Sequence, residues 1–343
     1  ALLTFLLVVS ALGSWAFAPL PSTTPRHVTT RATKEERLQW VPEGESYWQW
    51  ETEDATHAIH YVRREAAQKK GSVVLVHGFG ANWYHWRYNA LPLAQGGYDV
   101  YCLDLLGFGL SDKPVLAYSA ETWSRQLRDF VAQVVQEPVA VAGNSLGGYV
   151  CLSATADDGG DIRGLALLNA AGSFEKKKEE EKNLLQKLVQ KIALRISFEL
   201  TKQPKRIESV LRSVYAVDSS NVDAELVESI AYPARSPTAP DVFPLVITRP
   251  GGAGRPVDEL VDALGDQNVL LLWGTADPWI RPAMADRIQD HYRRSRNDQD
   301  LFLDRIDVDA GHCVHDELPF VVNDALLNWL DSSVFLRQQS PSS

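Results

Sequence analysis

The sequence predicts an α/β fold: a mostly parallel eight-stranded sheet with helices on both faces and a helical lid inserted after the sixth strand. Three observations lead there. Short apolar runs of strand length alternate with stretches of helical periodicity, as crossovers between parallel strands require. Several runs are apolar without interruption, the pattern of strands covered on both faces. The alternation breaks once, over residues 174–265, and then resumes.

The elements follow in chain order. Residues 1–12 (ALLTFLLVVSAL) form an apolar run too short to span a bilayer comfortably. Ser14 and Ala16 suit the −3 and −1 positions of a signal-peptidase site, so residues 1–16 read as a signal peptide cleaved before Phe17. Residues 17–34 carry Arg26, Arg31 and Lys34, many Ser and Thr, and no acid, the composition of a transit peptide. The two-part order, with Phe at the junction, is similar to the plastid leaders of algae with secondary plastids. It implies a plastid address; a plain secretory signal followed by a disordered arm is the alternative.

A first core part is expected over 35–173, the lid over 174–265, a second core part over 266–332 and a flexible tail over 333–343. Strands are expected at 72–77, 99–104, 138–144, 163–169, 268–273 and 301–307, with two more inside 47–62. In 119–136, Trp123, Leu127, Phe130, Val131, Val134 and Val135 recur at helical spacing, with Ser119 as N-cap. The lid opens on FEKKKEEEKN, whose opposite charges at helical spacing suit a solvated face. Amphipathic stretches follow at 184–200, 204–215 and 222–231, then a segment rich in Pro and Gly.

Charge excludes one function class. Asp and Glu outnumber Lys and Arg, 44 to 34, for a net charge of −10. A chain without a basic cluster is a poor partner for nucleic acid. Cys102, Cys151 and Cys313 are widely spaced and form no CxxC pair, so neither a disulfide scaffold nor a zinc ribbon is indicated.

The strongest chemical signal is Gly143-Asn144-Ser145-Leu146-Gly147, between the strand at 138–144 and a helix-like stretch. G-x-S-x-G in that setting is a nucleophile elbow, a sharp turn that exposes the serine hydroxyl at the C-terminal edge of the sheet. The hydroxyl needs a base to take its proton and a carboxylate to orient the base. Asp277, in the loop after the strand at 268–273, and His312, after the last strand, stand in the Ser–acid–His order that such sheets use. His315 falls inside the following helix, Asp307 and Asp309 precede His312 on or beside its strand, and Asp104 ends an earlier strand, so these four are the weaker candidates. His312, Cys313 and His315 lack a second cluster to complete a metal site. The chemistry calls for no metal or organic cofactor. Val76-His77-Gly78-Phe79-Gly80 follows the first core strand, so the backbone N–H groups of Phe79 and Leu146 are the expected oxyanion donors. His77 reads as a structural residue that hydrogen-bonds loop backbone. Phe79, Trp83, Trp86 and Trp279 flank these loops and are candidates for lining an apolar pocket; Trp83 and Trp86 have the alternative of packing on the sheet.

Residues 47–332 resemble the α/β-hydrolase superfamily. Within it, LVHGFGANWYHWRYN (75–89), LDLLGFGLSDKP (103–114), VAGNSLGGYVCLSA (141–154), LLNAAGSF (167–174), LLWGTADPW (271–279) and AGHCVHDELP (310–319) are similar to the pheophytinase-like dephytylases. The resemblance implies hydrolysis of the phytyl ester of pheophytin or chlorophyll, with Ser145, Asp277 and His312 as the triad. It implies a phytylated tetrapyrrole as substrate, with peripheral thylakoid association. In the lid only PTAPDVF (237–243) is suggestive. Lipid or acyl-ester hydrolases and carbon–carbon bond hydrolases share the elbow and stay open as alternatives. Epoxide hydrolases and haloalkane dehalogenases use Asp where this chain has Ser145. A non-catalytic pigment carrier or receptor on the same fold is the remaining alternative.

Overall fold

The computed structural model describes residues 37–40, 46–158, 160–174, 184–248, 254–296 and 302–335. The expected leader segments at 1–16 and 17–34 and the KKKEEEK run lie outside the described residues.

Strands β1 (Ser46–Glu51), β2 (Thr56–Arg64), β3 (Gly71–Val76), β4 (Tyr98–Leu103), β5 (Val139–Asn144), β6 (Ile162–Leu168), β7 (Asn268–Gly274) and β8 (Leu303–Val308) form one sheet. Their order is β1-β2-β4-β3-β5-β6-β7-β8. β2 is antiparallel to both neighbours and every other pair is parallel. The six core strands fall within one or two residues of the expected positions. β4 and β5 are buried along their whole length. Side chains alternate across the sheet, so Val74 and Val76 enter one apolar layer while Val73 and Leu75 enter the other.

Helices α1 (Ala90–Gln95), α2 (Ala120–Phe130) and α3 (Leu146–Asp158) connect the first parallel strands. Ser119 caps α2: its hydroxyl accepts the Thr122 N–H at 2.9 Å. Trp123, Leu127 and Phe130 are buried as the spacing predicts. A wider turn, Val131–Val135, extends the helix to Gln136, which takes a left-handed conformation (φ 59°).

Between β6 and β7 lie α4 (Leu184–Thr201), α5 (Pro204–Val214), α6 (Ala224–Ala231), α7 (Ala239–Thr248) and α8 (Val257–Ala263). The first four surround an apolar groove described below. Val257, Leu260 and Val261 of α8 join the apolar layer that holds Val150 and Trp273, and Val242 and Val246 of α7 join the same layer. α9 (Ala283–Ser295), α10 (Val314–Glu317) and α11 (Pro319–Trp329) complete the chain, followed by a wider helical turn at Leu330–Phe335. That turn corrects the tail expected from 333. Ser333 and Val334 are buried, and the Phe335 ring lies 5.5 Å from that of Tyr98.

Candidate active site

The elbow is built from close backbone approach. A Cβ on Gly147 would strike the carbonyl oxygens of Val76 and His77, and one on Gly143 would strike the Gly147 backbone. Between them Ser145 adopts φ 55°, which costs a non-glycine residue about 1–2 kcal/mol. Three hydrogen bonds hold it there. The Ser145 N–H donates to Leu168 O at 3.1 Å, and its carbonyl accepts the N–H groups of Ala171 (2.9 Å) and Tyr149 (3.2 Å). Leu146 then opens α3, whose N-terminal dipole favours negative charge at this point.

Asp277 and His312 meet. The His312 Nδ1 lies 2.7 Å from Asp277 Oδ2, with both side chains almost fully buried. The carboxylate is saturated with donors. Asn169 Nδ2 donates to Oδ2 at 2.6 Å, and the N–H groups of Trp279 and Ile280 donate to Oδ1 at 2.7 and 3.0 Å. The His312 peptide is pinned on both sides: its N–H donates to Val214 O at 2.8 Å, and its carbonyl accepts Asn144 Nδ2 at 2.9 Å. Since Asn144 immediately precedes Ser145, one amide ties the elbow to the histidine loop. The Trp279 ring lies 5.0 Å from the imidazole. Asn144 and Asn169 were not singled out from the sequence. A polar residue ending a buried strand was the available signal in each case.

The loop after β3 lies against the elbow, with the Gly78 Cβ position 3.2 Å from Ser145 Cβ. Among the described residues neither the Phe79 nor the Leu146 N–H donates a hydrogen bond within the protein. His77 is structural, as expected. Its Nε2 accepts the Leu105 N–H at 3.1 Å, which leaves Nδ1 to donate to Gly78 O at 2.8 Å. Burial lowers its pKa, and the neutral ring fits that pattern.

The other candidates are elsewhere. Asp104 accepts from the Trp83 and Leu110 N–H groups and pairs with His60 at 2.9 Å. Burial pushes its pKa up, but His60 and the other donors outweigh this and hold it below the usual range. Asp307 pairs with Arg305 at the surface, and Asp309 is exposed. His315 sits in α10 with its ring 4.1 Å from Trp86. Trp83 and Trp86 correct the pocket-lining expectation: both are completely buried, Trp83 stacked on Trp40 and Trp86 against His315, and neither lines the groove. Phe79 and Trp279 remain at the surface, 41% and 40% exposed.

A buried polar cluster braces the histidine loop. The fully buried Arg87 pairs with Asp316 at 2.9 Å, with Asp223 at 3.0 Å, and donates to Asn221 O at 2.6 Å. Tyr215 donates to Asp316 at 2.7 Å and lies 3.0 Å from His85 Nε2. Glu317 accepts the N–H groups of Gly311, Val217 and Asp218. The loop after β3, the α5–α6 connection and α10 thus share one network.

The groove has a volume of about 180 Å³. Phe79 and Phe108 line it from the core, and Phe198, Val242, Phe243 and Val246 from the inserted helices. The Phe79 ring lies 5.8 Å from Phe108 and 6.1 Å from Phe243, which lies 4.8 Å from Phe198. Phe79 therefore belongs both to the candidate oxyanion loop and to an apolar channel.

The chain belongs to the alpha/beta hydrolase family, whose model matches residues 73–325. Chloroplastic pheophytinase of Arabidopsis thaliana is 29% identical over 79% of this chain. The chain spans 64% of that relative's length. Lipase 1 of Psychrobacter immobilis is 31% identical over 46% of this chain and 53% of its own. Among solved structures, a bacterial membrane phospholipase A has a TM-score of 0.65 at 23% identity, covering 84% of this chain and 87% of its own. A thermophilic esterase from Thermogutta terrifontis has 0.64 at 20%, covering 84% and 99%. These two likenesses show the fold.

Proposed function

We propose that the chain is a serine hydrolase of carboxylic esters that removes the phytyl chain from a pheophytin- or chlorophyll-type tetrapyrrole. The observation that carries this reading is the His312–Asp277 pair at 2.7 Å, fastened by Asn144 to the strained turn that presents Ser145.

In this reading Ser145 attacks the ester carbonyl as His312 takes its proton. The N–H groups of Phe79 and Leu146 hold the oxyanion, and donors so placed are worth about 100- to 1000-fold each. His312 then protonates the departing alkoxide, which is too basic to leave unaided. Water activated by the same ring releases the acid. Asp277 stays ionised and fixes the tautomer with the proton on Nδ1.

The groove supports a long hydrocarbon chain over a polar substrate. At about 180 Å³ it is smaller than sites that enclose drug-sized ligands, roughly 300–1,000 Å³. It accommodates a stretch of the phytyl chain, while the macrocycle stays outside against Phe79 and Trp279. The inserted helices act as the lid over that chain. A plastid setting fits this substrate and the leader composition, and the pheophytinase relative is itself chloroplastic.

The purified chain, given pheophytin a, chlorophyll a and a short nitrophenyl ester, should release pheophorbide or chlorophyllide in chromatography. Ser145→Ala should fold normally, lose turnover of all three and lose labelling by a fluorophosphonate. Near-normal turnover by that variant would remove Ser145 from the mechanism. Turnover of the nitrophenyl ester alone would leave an esterase and discard the pigment substrate.

A further inference from the structure

Helix α4 carries an apolar face that is exposed among the described residues. Leu188, Val189, Ile192, Ile196 and Leu200 are each 50–65% exposed. Leu188, Ile192, Ile196 and Leu200 recur at every fourth position, so they form one line about 18 Å long. The helix is not merely misturned, since Leu194 and Phe198 bury its opposite side against the rest of the molecule. Scattered exposed apolar residues are ordinary, but a continuous line of them marks a binding surface.

From this geometry we infer that α4 is an in-plane docking helix for a lipid bilayer bearing anionic headgroups. Charge complementarity selects that partner. Lys191 and Arg195 each stand one position before a residue of the line, which places them along a single flank. Along this helix Lys191 and Arg195 stand against one acid, Glu199, which pairs with Lys202 at 2.7 Å, and Arg195 also meets Asp241 of α7 at 2.8 Å; the whole chain by contrast has a net charge of −10. An apolar face with a basic border is the pattern of helices that lie in the headgroup region. Among the described residues no helix is long and apolar enough to cross a membrane, so α4 lies on the bilayer.

Area argues against a second copy of the chain as the occupant. Five half-exposed side chains on one helix offer roughly 500 Å², short of the ~800 Å² per partner that stable interfaces bury. A bilayer needs no matching surface. Position adds a reason, resting on the ester-hydrolase reading. Thr201 and Lys202, where α4 ends, line the groove together with Phe198. A lipid-borne ester at the end of the apolar line therefore stands at the groove entrance, and its chain can pass from bilayer to groove without crossing water.

The test is co-sedimentation of the full chain with phosphatidylcholine vesicles, with and without phosphatidylglycerol. The parent is compared with the triple variant Leu188→Gln, Ile192→Gln, Ile196→Gln and with the double variant Lys191→Gln, Arg195→Gln. Residues 1–12 are apolar and present in all three, so the difference between proteins is the readout. The parent should bind vesicles containing phosphatidylglycerol, and the triple variant about tenfold more weakly, the loss expected when apolar area is withdrawn from the interface. The double variant should lose the preference for phosphatidylglycerol. Nitrophenyl-ester turnover in solution should be equal in all three, showing that the substituted, solvent-exposed positions leave the fold intact. Equal vesicle binding by parent and triple variant overturns the proposal. So does a parent dimer, seen by light scattering, that the triple variant converts to monomer. A parent that binds vesicles but turns over no ester refutes the hydrolase reading and leaves the docking helix standing.

Discussion

Asn169 follows β6 directly in a left-handed conformation (φ 45°), which Asn and Asp adopt more readily than other side chains with a Cβ. Its Nδ2 is 2.6 Å from Asp277 Oδ2, while its Oδ1 accepts the Gly274 N–H at 3.0 Å. Asn169→Asp keeps the shape and the Gly274 bond but replaces the donor with a second carboxylate oxygen. Two charges about 4 Å apart at an effective permittivity near 20 repel by about 4 kcal/mol, equivalent to about 3 pKa units. Relaxation reduces this, so the pair should hold one proton up to a pH about 2–3 units above the ordinary carboxylate range. While it holds that proton, the introduced carboxyl donates to Asp277 as the native amide does. Once the proton leaves, the dianion faces the Nδ1–H of His312 and stabilises the imidazolium, which cannot act as a base. The acidic limb of kcat/KM against pH should therefore move upward by about 1–2 units, while activity on the alkaline side largely survives. Stability should follow the same proton. The pair's folded pKa is raised above the unfolded value near 3.9, so the folded variant binds more protons in that window and loses stability as pH rises through it. At neutral pH the deficit should be about 3–4 kcal/mol and absent below pH ~4. Asn169→Ala removes the donor without adding charge, so it should lower the rate and leave the limb in place. An Asn169→Asp limb coincident with the parent's, or an equal shift in Asn169→Ala, would show that the amide and Asp277 are not coupled as the geometry states.

Arg87→Met leaves Asp316 buried without its cation, which should cost about 3–5 kcal/mol at neutral pH. Burial raises the Asp316 pKa in the native chain and Arg87 opposes it, so the variant's carboxyl rises further. The stability difference should be full at high pH and shrink as pH falls through the variant's folded pKa, as measured by denaturant melts across the pH range. A difference that does not change with pH would mean that packing, not charge, dominates. Gly147→Ala forces a Cβ into the Val76 and His77 carbonyls, which are backbone atoms that cannot rotate away. It should cost about 1–3 kcal/mol and also depress ester turnover by displacing Ser145, whereas a melting temperature and turnover equal to the parent's would refute the close approach.

The sheet was legible because buried parallel strands announce themselves locally. Runs such as SVVLVH and NVLLLW need no partner to be recognised, and each lies within a residue of its observed strand. The elbow, Asp277 and His312 were legible for a related reason: each follows a strand, so the parallel topology delivers all of them to one edge. Trp83 and Trp86 show where that reasoning stops. They follow β3 as closely as Phe79 does, yet they sit on a 3-10 turn, Trp83–Trp86, whose start is fixed by the Asn82 side chain and by Asp104. That turn buries both indoles, one against Trp40 and the other against His315, and neither lines the groove. Direction after a strand depends on side chains donated by other loops, and no local pattern records it.

Two stretches within the strings that carry the resemblance, HWRYN (85–89) and GHCVHDELP (311–319), are joined by the same kind of distant contact. Arg87 meets Asp316 across 229 residues of chain, His85 stacks edge-on to His315, and Asn89 donates to the His315 carbonyl. None of these groups touches the Ser145 hydroxyl. Their buried hydrogen bonds instead fix α10 against the loop after β3, and α10 begins two residues after His312. A neutral His85, its pKa lowered to about 3 by burial and the nearby Arg87 charge, can serve this bracing across the physiological range without titrating. These residues thus hold the histidine loop in place, while the residues proposed to perform the chemistry stand just past the ends of β5, β7 and β8.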